Sequence, residues 1–186
     1  YVIDNTRCIS YLTIELKGSI PIDLRPLVGD WVFGCDICQD VCPVNRKAES
    51  GETALSGDFK QRPGFATPDL VALLELDQET FSSIYKNSPV KRAKRIGLQR
   101  NACVALGNNG DSSAIQPLIK ALEGSESLVR SHAAWALGKF AESGECKAVK
   151  ALQSALDKEN DDEVLQEIQL ALSPLETIDF KLTHVP

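Results

Sequence analysis

The sequence predicts a mainly α-helical protein in two unlike parts, a cysteine-bearing N-terminal part and a short α-solenoid. Three observations carry this. Three of the six cysteines fall in Cys35-x2-Cys38-x3-Cys42-Pro43, with Cys8 well upstream. Apolar residues recur at i, i+4, i+7, i+8 three times between 98 and 172. Turn-forming clusters separate these runs. Nowhere does the sequence approach the roughly 18 consecutive apolar residues of a membrane span, and no signal peptide is visible.

The cysteine motif comes first in the chain and in the argument. Residues 2–17 mix apolar and short polar types, which predicts a short helix or strand beside Cys8. Ser10, Tyr11 and Thr13 read as packing or turn-capping residues. Lys17-Gly18-Ser19-Ile20-Pro21 and Gly29-Asp30 are turn signals that lead into the motif. Its spacing is too organised for incidental cysteines, and six in 186 residues are too few for a disulfide scaffold. Iron–sulfur clusters are held by thiolates on such loops, and the bacterial ferredoxin run is C-x2-C-x2-C-x3-C-P, whose last cysteine serves the other cluster. Cys35, Cys38, Cys42 and Pro43 match its last three cysteines and its proline, with Cys8 as the displaced first ligand. On that count Cys8, Cys35 and Cys38 ligate one 4Fe-4S cluster, and Cys42 ligates a second. The remaining ligands are expected from a motif preceding Tyr1, since the chain contains no methionine and reads as truncated there. Two other readings stay open: one cluster on all four cysteines, or a structural zinc, although C-x3-C-P is unusual for a zinc knuckle. Trp31 and Phe33 read either as a shield for the cofactor or as plain core aromatics. Cys103 and Cys146 read as structural, and His132 and His184 have no ligand-spaced partner.

The rest of the chain is punctuated helix. Residues 45–64 read as loop, and Thr67-Pro68 predicts a helix start with Thr67 as N-cap. Asp77 and Ser88-Pro89 mark two further starts. Leu98, Ala102, Ala105, Leu106, then Val129, Ala133, Ala136, Leu137, then Val164, Ile168, Ala171, Leu172 share one pattern, with starts 31 and 35 residues apart. Between them lie helices on Ile115, Leu118, Ile119, Leu122 and on Val149, Leu152, Leu156. Residues 102–107 and 133–138 align in register, each ending Ala-Leu-Gly. Two-helix units that stack to bury a shared face form an α-solenoid, here resembling short HEAT repeats. Ser173-Pro174 is expected to end the last helix, leaving a patternless tail over 176–186. The predicted organisation is therefore part of a ferredoxin-like two-cluster 4Fe-4S domain over 1–57, a connection over 58–88, and a HEAT-like helical-repeat domain over 89–186.

A net charge of −6 argues against indiscriminate nucleic-acid binding by the whole surface. The charge is nevertheless polarised. Lys86, Lys91, Arg92, Lys94, Arg95 and Arg100 fall within 15 residues that contain no acid. Such a run is either a solvated face or a polyanion site. Lys91, Arg92, Lys94, Arg95 and Arg100 are expected to neutralise successive phosphates, with Asn101 donating to a base or backbone.

The segments 7–15, 29–43, 89–95 and 100–101 together resemble epoxyqueuosine reductase, a cobalamin-dependent, two-cluster enzyme family that reduces epoxyqueuosine to queuosine at the tRNA wobble position. The resemblance implies cluster ligation by Cys8, Cys35, Cys38 and Cys42, and electron flow through the clusters to cobalamin. It also implies docking of a tRNA anticodon stem-loop. The cobalamin domain and general acid of the family have no match here, so the chain is expected to be inactive alone, and residues 10–15 are the expected place for any cobalamin contact. A cytoplasmic monomer served by an electron donor such as flavodoxin or ferredoxin completes that expectation. The alternatives are a stand-alone ferredoxin-like carrier with a HEAT-like protein-binding domain, and a zinc-stabilised HEAT scaffold.

Overall fold

The computed structural model describes residues 4–45 and 67–182, with side chains through 174. The expected 57/58 boundary and His184 lie outside the described residues. Every regular element among the described residues is helical. A 3-10 turn over Asn5–Arg7 leads through Cys8 into a π-helix at Tyr11–Glu15, then come two four-residue helices, α1 (Arg25–Val28) and α2 (Ile37–Asp40). Two more short helices follow, α3 (Leu70–Leu74) and α4 (Gln78–Ile84), and a 3-10 turn over Pro89–Arg92. The long helices are α5 (Lys94–Asn109), α6 (Ile115–Leu122), α7 (Ser127–Glu142), α8 (Cys146–Leu156) and α9 (Asp162–Leu182).

Local chemistry explains most boundaries. Asp77 and Ser88 cap as expected, accepting from the backbone N–H groups of Thr80 and Val90. The α3 cap is Asp69 rather than Thr67: its carboxylate accepts from Val71 and Ala72 N–H, and Pro68 stands outside the helix. Gly110 ends α5 at φ +71°, where a side chain would be strained. Pro174 does not end α9, which continues through it to Leu182.

The repeats form two layers. Helices α5, α7 and α9 pack side by side, while α6 and α8 pack on each other and against α7, with α8 also touching α9. Gly107 and Gly138, the repeated glycines of the aligned segments, set the spacing. A Cβ on Gly107 would meet Ala136 Cβ at 2.9 Å, and one on Gly138 would meet Ala171 Cβ at 2.8 Å. Ion pairs link successive repeats at their helix starts, Arg95 to Glu126 and Arg130 to Glu159. The Arg130 hydrogen bonds hold the Glu159 carboxyl down to about 2.

The N-terminal segment does not hang off this solenoid. Leu12, Ile20, Leu24 and Val28 belong to the same buried core as α5–α9. A second core joins Leu73, Phe81 and Tyr85 of the α3–α4 region to Leu98 and Ala102 of α5. Helix α5 is consequently covered on all sides, and its residues 97–107 are buried without exception.

Candidate iron–sulfur and nucleic-acid site

The cysteine site is assembled from two strands of chain far apart in sequence. Cys8 opens the helical segment: its carbonyl accepts from Leu12 N–H at 2.9 Å. Gly34, at φ +74°, turns the second stretch immediately before Cys35. Two hydrogen bonds lay these stretches together. Ser10 Oγ donates to the Cys35 carbonyl at 3.1 Å, and Gly34 N–H donates to Thr13 Oγ1 at 3.0 Å. Cys38 then sits on α2 and Cys42 just beyond its end. All four are free thiols; Cys38 is exposed and the others are half-buried. The chemistry of this donor set fits an iron–sulfur cluster: thiols only, on a loop and short helical turns, with Cys38 open to solvent. Among the described residues no three His, Cys, Asp or Glu converge on a single metal-ion position. A four-iron cluster takes its thiolates around its periphery and needs no such convergence. Ile37, Val41 and Val44 are exposed among these cysteines, Val44 by 75%. Trp31 packs against the main core and Phe33 against the second.

Helix α5 grips both stretches. Asn101 Nδ2 donates to the Thr13 carbonyl and to the Val32 carbonyl, each at 2.8 Å. Its Oδ1 accepts from Arg100 Nε at 3.0 Å and Nη2 at 2.8 Å, so the amide has one workable orientation. Arg100 also donates to the carbonyls of Leu12, Leu16 and Gly18. Asn108 Nδ2 donates to the carbonyls of Arg25 and Gly29, and His132 Nε2 accepts from Ile20 N–H. These groups do the work of backbone pairing for a segment with little regular structure of its own.

This corrects part of the expected RNA-binding set. Arg100 and Asn101 are 0% exposed and their donors are fully engaged inside, so neither reaches a phosphate or a base. Burial and the like charge of Arg25 pull the Arg100 guanidinium down to about 10, which leaves it charged at neutral pH. Arg95 is 19% exposed and committed to Glu126 and Gln99. Lys91, Arg92 and Lys94 do face solvent, on the 3-10 turn and the first residue of α5. Arg92 pairs with Glu15, and its carbonyl accepts from Lys17, so this basic corner abuts the π-helix that follows Cys8. Of the stretch expected to touch cobalamin, Leu12 and Thr13 are buried and Ser10 is engaged with Cys35. Cys103 is buried, its thiol pushed up to about 12, whereas Cys146 is exposed.

Sequence reading missed Arg25, Asn108, His132 and Glu167. Arg25 and His132 are buried polar residues, and a period count that tracks apolar residues passes over them. Asn108 opens Asn108-Asn109-Gly110-Asp111, a run whose composition signals a turn.

Comparison with known proteins agrees with both halves. Residues 1–45 match a 4Fe-4S double cluster binding domain, and residues 91–173 match HEAT repeats. Epoxyqueuosine reductase of Pseudomonas aeruginosa is 44% identical over 144 residues, which is 76% of this chain and 39% of that protein. The chain is homologous to the epoxyqueuosine reductases. A crystal structure of epoxyqueuosine reductase with an epoxyqueuosine-modified tRNA-Tyr stem loop superposes with a TM-score of 0.83 at 32% identity, covering 94% of this chain and 45% of that one. Epoxyqueuosine reductase of Bacillus subtilis gives 0.82 at 32% identity, over 92% and 44%. The chain thus spans less than half the length of the epoxyqueuosine reductases it matches. Among the described residues no helix is long and apolar enough to cross a membrane.

Proposed function

We propose that this chain is the cluster-bearing and RNA-docking portion of an epoxyqueuosine reductase. The observation that carries the reading is the coincidence, in one chain, of a double-cluster match over 1–45 and a repeat match over 91–173, joined by a common core. The fold that carries both matches superposes over 94% of this chain on an epoxyqueuosine reductase solved with a tRNA stem loop. Cys8, Cys35 and Cys38 hold one 4Fe-4S cluster and Cys42 contributes to a second. Bound clusters supply single electrons, here directed to a cobalamin held mainly by residues outside this chain. The exposed apolar side chains Ile37, Val41 and Val44 suit burial against the portion that completes the second cluster, because apolar surface interleaved with ligands is costly to leave in water. Trp31 and Phe33 pack the loop behind Cys35 and keep water from that side.

Lys91, Arg92 and Lys94 dock the tRNA anticodon stem-loop by neutralising its phosphates, and the neighbouring cluster site places reducing equivalents close to the bound loop. The test is tRNA affinity with all three changed to Glu. Affinity is expected to fall about tenfold or more, and the slope of log affinity against log salt to shrink by roughly 0.7 per lost contact. Unchanged affinity and slope overturn the docking assignment.

A further inference from the structure

We infer that Asn101, a residue of the helical-repeat layer, is a positioning residue for the iron–sulfur cluster. The inference rests on the cluster reading above and adds to it a residue outside the cysteine segment. The geometry is specific. One side-chain amide donates to Thr13, five residues after Cys8, and to Val32, three residues before Cys35. The two stretches that bring ligands from positions 8 and 35 therefore meet at a single nitrogen. Both bonds are 2.8 Å, and Asn101 is wholly buried. Arg100 fixes the amide from the other side through its Oδ1. Thr13 reinforces the junction, its hydroxyl accepting from Gly34 N–H and donating to the Ile9 carbonyl. Removing the Asn101 amide leaves the Thr13 and Val32 carbonyls unpaired and lets the Cys8 helix and the Cys35 loop separate.

The protein contains its own control. Asn108, two turns further along the same helix, makes the same kind of grip, on Arg25 and Gly29, away from the ligand-bearing ends. A merely structural role predicts that the two asparagines behave alike. A positioning role predicts that only Asn101 changes the cluster.

The experiment compares Asn101→Leu, Asn108→Leu and Thr13→Val with the parent, each made in the full-length reductase that supplies the remaining ligands and reconstituted anaerobically with iron and sulfide. Iron release to a chelator and the electron paramagnetic resonance line shape of the reduced cluster are read, with far-ultraviolet circular dichroism as the check on folding. Loss of an outer hydrogen bond that orients ligands typically costs about tenfold or more in metal retention. Iron release about tenfold faster in Asn101→Leu, with an altered line shape, is expected while Asn108→Leu matches the parent. Equal release from the two asparagine variants overturns the inference. Should Asn101→Leu fail to fold, Thr13→Val decides: a faster release supports the junction and an unchanged rate overturns it. A parent protein that takes up no acid-labile sulfide overturns the cluster reading along with the inference, and so separates the two failures.

Discussion

Arg25 and Glu167, 142 residues apart, face each other through two hydrogen bonds of 2.9 and 2.5 Å. Arg25 is buried, stacks over Trp135 at 5.7 Å, and also donates to the Ile20 carbonyl. The pair ties the N-terminal segment to the last repeat helix. Glu167→Leu leaves the buried guanidinium without its carboxylate, which is expected to cost about 3–5 kcal/mol. Arg25→Met combined with Glu167→Leu is expected to recover at least half of that loss, since an apolar pair of similar volume is tolerated. Urea unfolding midpoints of the two variants check both statements.

His132 gives the fold an acid-sensitive point. Its Nδ1–H donates to the Leu128 carbonyl and its Nε2 accepts from Ile20 N–H, so the neutral ring satisfies both neighbours and a second proton has no acceptor. Burial, chiefly, and the Arg25 charge hold its pKa well below 6.5. The unfolded chain therefore takes up a proton as pH falls below about 6.5 while the folded chain does not, and stability drops with falling pH at up to about 1.4 kcal/mol per unit from this group. The expected result is a loss of stability between pH 6.5 and 5 that is largely absent in His132→Gln, measured by thermal unfolding at each pH.

The repeat glycines, Gly107 on α5 and Gly138 on α7, are expected to differ sharply from a third glycine, Gly97 on α5. Gly138→Ala drives a methyl to 2.8 Å from Ala171 Cβ and 3.2 Å from its Cα, and overpacking of this kind costs about 1–3 kcal/mol. Gly107→Ala meets Trp135 and Ala136 at 2.9 Å and behaves alike. Gly97→Ala meets only Ala93 Cβ at 3.9 Å and is expected to gain about 0.5–1 kcal/mol from helix propensity. Melting temperatures of the three variants test the ordering.

How far the sequence discloses this molecule depends on which way each side chain is covered. Val129, Ala133, Ala136 and Leu137 reveal α7, and their counterparts reveal α5 and α9, because apolar periodicity records burial from one side. Arg100 and Asn101 mislead for the same reason. They lie on a helix buried all round, where the polar residues facing the N-terminal segment carry the same letters as a solvent-facing basic stripe. A Lys/Arg run counts charges and says nothing of what stands opposite. The cysteine spacing singles out the candidate ligands, but not that Ser10 and Thr13 bridge to Cys35 and Gly34, since that contact joins stretches more than twenty residues apart. Pro174 shows the opposite limit: a breaker by composition stands inside α9, which runs on to Leu182.

The repeat layer holds the cysteine segment by its main chain as well as by the side chains it buries. The carbonyls of Leu12, Thr13, Leu16, Gly18, Arg25, Gly29 and Val32 are the groups grasped by Arg100, Asn101 and Asn108. A grip on carbonyl oxygens is blind to which amino acids carry them. The anchoring side chains Leu12, Ile20, Leu24, Arg25 and Val28 all precede the Cys35 loop, so the side chains from Cys35 onward are left to answer to thiolate chemistry and to whatever lies across the open face.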